Sequence, residues 1–213
     1  MPFVFPRVYP ILDSSVIPIT GRAAFLQHLA SSLADAGVTL MEYRNKTGAD
    51  AELLSDCGLL RTAMPAQNIR LILDDRVELV ELAGFDGVHV DAGDLSAAEA
   101  RRLLGPDRII GTFGGSDALL PGILSQSVDY FAIGPVFPTT TKQTAKSPIG
   151  PDGVRKLRAQ AGQSAVLVAA AGITLDTAPA VLAAGANTVA VSAAIFRTPD
   201  PASEFRRWMQ HLR

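Results

Sequence analysis

Residues 129–142 read DYFAIGPVFPTTTK, and the way this stretch changes character decides the fold. Tyr130-Phe131-Ala132-Ile133 is a short run with no polar position left for solvent, as expected of a parallel strand covered on both faces. Gly134-Pro135 breaks it, because proline offers no N–H to a ladder. From Thr139 to Ser147 the chain then carries four threonines, a serine and two lysines, with no carboxylate. Several donors and two positive charges without local repulsion suit an anionic ligand. A loop after the carboxyl end of a strand is also where parallel α/β proteins keep their functional groups.

Outward from this unit the same pattern recurs. Strands are expected at Val8–Leu12, Val38–Tyr43, Leu71–Leu73, Gly87–Val90 and Arg108–Gly111 before it, and at Ala165–Ala169 and Thr188–Val191 after it. Between them lie helical stripes. Ala24, Phe25, Leu29, Leu33 and Ala36 mark one over Gly21–Ala36, and a second covers Ala49–Thr62. A third runs to Ala83. Ser96 and Glu99 form a capping box for a fourth, which stops near Gly105-Pro106. A fifth is expected to run to about Gln126. Gly150 opens a sixth with Val154 and Leu157 inward, Thr174 caps a seventh, and Pro201–His211 closes the chain with Phe205 and Trp208 on one face. Eight strand–helix units point to a single-domain (β/α)8 TIM barrel over residues 1–213, in preference to an open doubly wound sheet. No GxGxxG follows the first strand, so a dinucleotide fold lacks its usual support.

Composition narrows the partners. In 213 residues, 48% are apolar and 19% charged, enough for a core and unlike a disordered chain. The net charge of -2 argues against nucleic acid or an anionic membrane as the main partner, so any anion site must be built locally. Cys57 is the lone cysteine, which excludes an internal disulfide and fits a reducing cytosol; it reads as a small apolar helix residue. The opening MPFVFPRVYPILD has neither a cationic start nor an unbroken apolar stretch, and no segment approaches a membrane span. A soluble cytoplasmic protein is expected, with a homo-oligomer left open.

On this layout the unusual residues fall on one rim. Arg44 and Lys46 follow the second strand, Asp74 and Asp75 the third, and Asp91 and Asp94 the fourth. Thr139, Thr141 and Lys142 follow the sixth, and Gly172 and Ser192 the last two. Carboxylates after adjacent strands can share one hard cation, and oxygen donors without a Cys or His cluster favour Mg2+ over zinc. With Arg44, Lys46 and Lys142 as countercharges, this suggests a magnesium-bound pyrophosphate. Gly172 and Ser192 correspond to the common barrel phosphate site after strands seven and eight. Two anion sites on one rim imply small phosphorylated substrates and a group transfer. His89, inside GVHV, reads as a hydrogen-bonded barrel histidine rather than a general base.

The motifs YRNK (43–46), DDRVEL (74–79), DGVHVDAGD (86–94), GPVFPTTTK (134–142), AAGIT (170–174) and the stretch from Gly185 to Ile195 resemble those of the thiamine phosphate synthase family over nearly the whole chain. That resemblance implies joining of hydroxymethylpyrimidine diphosphate to a thiazole phosphate with loss of pyrophosphate, through a pyrimidine cation captured by the thiazole nitrogen. It implies Mg2+ on Asp75 and Asp94, the pyrimidine diphosphate on Arg44 and Lys46, and pyrophosphate on Lys142. Arg44 and Lys142 would be the catalytic countercharges. Glu42 and Asp74 fall among the substrate-binding positions, Thr139 and Thr141 on the thiazole side, and Gly172, Ser192 and Ala193 at its phosphate.

The chain also departs from the family pattern. Glu42 stands where Gln is usual, Asp74 where Asn is usual, and Phe113 where a serine is expected. Ala92-Gly93 replaces Gln-Glu, and Ala171-Gly172-Ile173 replaces Gly-Gly-Ile. The first two put negative charge in place of a neutral amide and remove amide donors. A thiazole phosphate tautomerase or a non-catalytic binder of thiamine precursors is the alternative reading.

Overall fold

The computed structural model describes residues 3–91, 93–139 and 146–213. Its strands are β1 (Val8–Asp13), β2 (Leu40–Arg44), β3 (Arg70–Asp74), β4 (Gly87–Val90), β5 (Ile109–Gly115), β6 (Tyr130–Ile133), β7 (Leu167–Ala170) and β8 (Thr188–Val191). They pair in parallel, each with its neighbour in sequence, and β1 closes on β8 through Val8–Val189 and Tyr9–Ala190. The expected (β/α)8 barrel is therefore what the chain forms.

Side chains alternate across a strand, so the barrel has two cores. Val8, Leu12, Met41, Tyr43, Leu71, Leu73, Val88, Ile110, Phe131, Leu167 and Val189 point outward. They pack beneath α1 (Arg22–Asp35), α2 (Asp50–Ala63), α3 (Val80–Ala83), α4 (Ala97–Leu104), α5 (Gly150–Ala161), α6 (Ala178–Ala183) and α8 (Pro201–His211). A short α7 (Ala193–Phe196) precedes α8. Trp208 of α8 is fully buried in this outer core, as the apolar face of that helix requires. The inner core takes one residue from every strand except β4: Tyr9, Leu40, Ile72, Ile109, Tyr130, Val168 and Ala190. Phe3 and Phe5 pack against this layer at the amino-terminal end.

Two expected helices are corrected. After β5 the chain makes only a 3-10 turn at Ile123–Ser125 instead of a helix running to Gln126. Strand β5 runs on through Thr112-Phe113-Gly114-Gly115, with a register shift between Phe113 and Gly115, and Pro121 and Gly122 then punctuate the connection. Thr174 does not cap α6. That helix begins at Ala178 with Thr177 before it, and the Thr177 hydroxyl accepts the Thr174 N–H at 2.9 Å in a turn of its own. Elsewhere the capping box Ser96–Glu99 forms as expected, and Val154 and Leu157 face inward.

One glycine makes the inner core possible. A Cβ on Gly111 would stand 1.9 Å from Cζ of Tyr130, so the absence of a side chain on β5 is what admits the tyrosine ring from β6. Gly111→Ala must push that ring aside or bend the strand. We expect it to lower stability by about 1–3 kcal/mol, read as a lower urea midpoint with an unchanged slope.

Candidate active site

Counting by two along each strand carries the inner face upward from this aromatic layer to the carboxyl-terminal rim. Tyr9 leads to Ile11 and Asp13 on β1, Leu40 to Glu42 and Arg44 on β2, and Ile72 to Asp74 on β3. His89 follows on β4 with Asp91 just beyond it, Phe113 on β5, Ala132 on β6 with Gly134 just beyond it, Ala170 on β7, and Ala190 on β8 with Ser192 just beyond it. All of these except Ile72 and Leu40 line a cavity of about 600 Å3 at the barrel mouth. Its floor is polar and connected. The Tyr9 hydroxyl donates to Glu42 Oε2 at 2.9 Å, the Tyr9 and Tyr130 hydroxyls meet at 3.1 Å, and Tyr130 meets His89 Nδ1 at 3.1 Å. His89 Nε2 lies 3.6 Å from Asp91 Oδ1. The hydrogen-bonded barrel histidine read from GVHV is thus what His89 is.

These groups are buried, so their ionisation is shifted. Burial pushes the Glu42 carboxyl up to about 7, with the negative Asp74 and Asp91 adding to the rise, while His89 and the Tyr9 hydrogen bond oppose it. Burial alone would lower the His89 imidazolium, but Asp91, Glu42 and Asp74 outweigh it and raise its pKa.

The rim after β2 and β3 is a charge cluster. Arg44 pairs with Asp13 beside it on β1, and its Nε lies 3.4 Å from Asp74 Oδ2. Lys46 Nζ lies 3.0 Å from the same oxygen and pairs also with Asp75. Asp75 and Arg76 both have positive φ, 57° and 46°, a strained turn that holds the Asp75 carboxylate toward Lys46. Asp74 Oδ2 and Asp75 Oδ1 are buried and have no hydrogen-bond partner among the described residues. For Asp74 the two cations are near enough for charge attraction but not aligned as donors. Burial raises the Asp74 pKa despite His89 and Lys46. Asp94 is pushed up to about 6 by burial and by a hydrogen bond with Asp75, whose own carboxyl is lowered by Asp94 and Lys46 against the effect of burial. Two carboxyls that shift one another's ionisation in this way could share a cation. Among the described residues no group of three or more His, Cys, Asp and Glu is placed around one metal position.

Across the barrel, Ala171 and Gly172 turn with φ of 76° and 69° after β7. The turn carries the loop after β6: Val136 and Phe137 donate to the carbonyls of Ala170 and Ala171 at 2.9 and 3.1 Å. A Cβ on Gly172 would stand 2.4 Å from the Pro138 carbonyl oxygen. Ser192 precedes α7, whose first N–H groups face out of the helix beside the cavity.

Of the residues expected from the sequence, Glu42, Arg44, Asp74, Thr139, Gly172, Ser192 and Ala193 line the cavity, while Lys46, Asp75 and Asp94 stand beside it on the rim. Thr141 and Lys142 lie outside the described residues. Lys146, the second lysine of the same loop, lines the cavity with its ammonium 3.6 Å above the Phe113 ring. Phe113 thus stands where the sequence pattern calls for a hydroxyl and holds a cation instead. Asp13, Tyr9 and Tyr130 were not singled out as site residues. Their signal is the two-residue period alone, which places them on the inner face once the strand register is known.

Similarity to known proteins adds a separate line. The sequence model of a family described as thiamine monophosphate synthase matches residues 8–195. The chain is 40% identical to a thiamine-phosphate synthase of Koribacter versatilis over 94% of each chain. It is 38% identical to one of Agrobacterium fabrum over 92% of this chain and 89% of that one. In structure it is similar to a thiamine phosphate pyrophosphorylase of Pyrococcus furiosus, with a TM-score of 0.75, 24% identity, and 97% and 96% of the two chains covered.

The raised Asp74 carboxyl makes a prediction of defined sign. An acid whose pKa is higher folded than unfolded lowers stability once pH exceeds its folded pKa, and the deficit disappears as pH falls below the unfolded value. Asp74→Asn should therefore raise Tm at pH ~8, with the gain fading toward pH ~3 where the aspartate is protonated in both states. Melting curves across that range check it.

Proposed function

Because the chain belongs to the thiamine monophosphate synthase family, we propose that it joins hydroxymethylpyrimidine diphosphate to a thiazole phosphate, yielding thiamine phosphate and pyrophosphate. The observation that supports this reading is one cavity with cationic side chains at one edge and backbone turns at another. Arg44 and Lys46 stand on the β2–β3 side, and Gly172 with Ser192 and Ala193 on the β7–β8 side. A diphosphate and a monophosphate held at opposite edges leave the two ring systems to meet over the floor between them. Fixing both reactants this way converts an encounter into an intramolecular step.

Arg44 and Lys46 bind the diphosphate. Both are already cationic and held in place by Asp13, Asp74 and Asp75, so charge stabilisation of the leaving group requires little rearrangement. Asp75 and Asp94 fit a hard divalent cation: Asp75 has a buried oxygen without a partner among the described residues, and burial and Asp75 together push the Asp94 carboxyl up to about 6. They would hold Mg2+, which when bound supplies positive charge to the departing pyrophosphate. Lys142 adds a further cation there, and Thr139 and Thr141 serve the thiazole side. Peptide N–H groups at Gly172 and before α7 take the thiazole phosphate.

The test is turnover of the two substrates with and without Mg2+, following thiamine phosphate. We expect metal-dependent product, and for Asp75→Asn a loss of at least about 10²-fold with the melting temperature retained. An unchanged rate and metal dependence in that variant would remove Asp75 from the ligands. Gly172→Ala, which drives a methyl into the Pro138 carbonyl, is expected to raise KM for the thiazole phosphate more than for the diphosphate. Initial-rate measurements with each substrate varied in turn check this.

A further inference from the structure

The polar floor has a direction that follows from counting hydrogens. A phenol has one. Tyr9 gives its hydrogen to Glu42 Oε2, so Tyr130 must be the donor to Tyr9. Tyr130 has then spent its own, so His89 Nδ1 must donate to Tyr130. The chain runs one way, His89 to Tyr130 to Tyr9 to Glu42, and it ends on an oxygen of a carboxylate that lines the cavity. The other ring nitrogen of His89 faces Asp91, so both nitrogens point at acceptors, as in an imidazolium. His89 on β4 and Glu42 on β2 are the two ends of this array, and both line the cavity, so the carboxylate stands at the reaction space.

Glu42 is two residues before Arg44 on the same face of β2, about 7 Å lower in the barrel. A diphosphate on Arg44 therefore sets its organic group above the Glu42 carboxylate. When the methylene–oxygen bond breaks, its electron pair leaves on pyrophosphate and positive charge remains on the pyrimidine methylene. The thiazole nitrogen then supplies the pair for the new C–N bond, and Glu42 neither gains nor loses a proton. We propose that ionised Glu42 is a catalytic residue, the fixed countercharge that stabilises the pyrimidine-methylene cation between these two events. This rests on the synthase reading given above. Tyr9, Tyr130 and His89 are positioning residues that aim the carboxylate and keep it charged. A preorganised charge in a water-poor site acts on developing charge more strongly than on the neutral ring of the bound substrate.

The charged and titratable groups facing Glu42 are Tyr9 from β1, Arg44 on its own strand, Asp74 from β3, His89 and Asp91 from β4, and Tyr130 from β6. Asp74 and Asp91 hold its pKa up, whereas the Tyr9 hydrogen bond and His89 pull it down. Activity that needs the carboxylate should fall as pH drops through the value near 7. Since phosphate groups titrate close by, the variants carry the assignment.

The experiment is the pH dependence of kcat and KM, with saturating Mg2+, for wild type, E42Q and Y9F, each checked for an unaltered melting transition and retained binding of thiazole phosphate. The expected result for E42Q is a kcat lower by about 10²-fold with KM little changed and the limb near 7 absent. In Y9F, which loses the bond favouring the carboxylate, the limb moves to higher pH. A wild-type kcat in E42Q, an effect on KM alone, or the same limb in E42Q and wild type would overturn the proposal. If E42Q does not fold, an unmoved limb in Y9F overturns it and a raised one supports it. Wild type silent at every pH overturns the synthase reading, and this proposal with it.

Discussion

Charge buried inside a barrel is the constraint on which this structure turns. Glu42, Asp74 and His89 lie on inward positions of three successive strands, each nearly inaccessible to solvent. An ionised group moved out of water is destabilised by far more than a hydrogen bond returns unless it is paired. Each of the three is compensated differently. Glu42 and His89 sit at the two ends of a hydroxyl chain, and Asp74 has two cations close to one oxygen. The compensating groups come from neighbouring strands, so closure of the sheet and satisfaction of the site are one event.

The barrel divides its labour by depth. At the amino-terminal end, Phe3, Phe5 and the apolar inner layer exclude water. Above them, hydroxyls mediate between that layer and the ionised groups. At the rim, Arg44 and Lys46 stand among Asp13, Asp74 and Asp75, close to neutral as a set. In the proposed reaction a phosphate would meet cations there whose positions are already determined. The same carboxylates that hold those cations would repel a phosphate, and the divalent ion proposed above at Asp75 and Asp94 would offset that repulsion.

Part of the cavity lining was readable in the chain. YRNK, DDR and the run of threonines after Gly134-Pro135 announce themselves as charge and hydroxyl clusters where apolar strands end, and such clusters keep their meaning in one dimension. Tyr9 and Tyr130 do not. Each stands inside an apolar run, where a tyrosine reads as core, and their bonds join residues 33, 121 and 41 positions apart. The missing helix after β5 failed for another reason. The strand was expected to stop at Gly111, but the ladder to β6 carries it on through Gly115. Pairing outweighed local propensity there.

By itself, the sequence determined the eight-fold alternation, the strand ends at which functional residues appear, and the family to which the chain belongs. Each is a property of local order: hydrophobic period, turn residues, motif spacing. Only the tertiary structure decided which side chains face one another across the barrel. That choice depends on register, and a slip of one residue would exchange the inner face for the outer. The chain of hydroxyls from His89 to Glu42, the Lys146 ammonium over Phe113, and the space that Gly111 leaves for Tyr130 all come from that register. None of them exists until eight strands have closed.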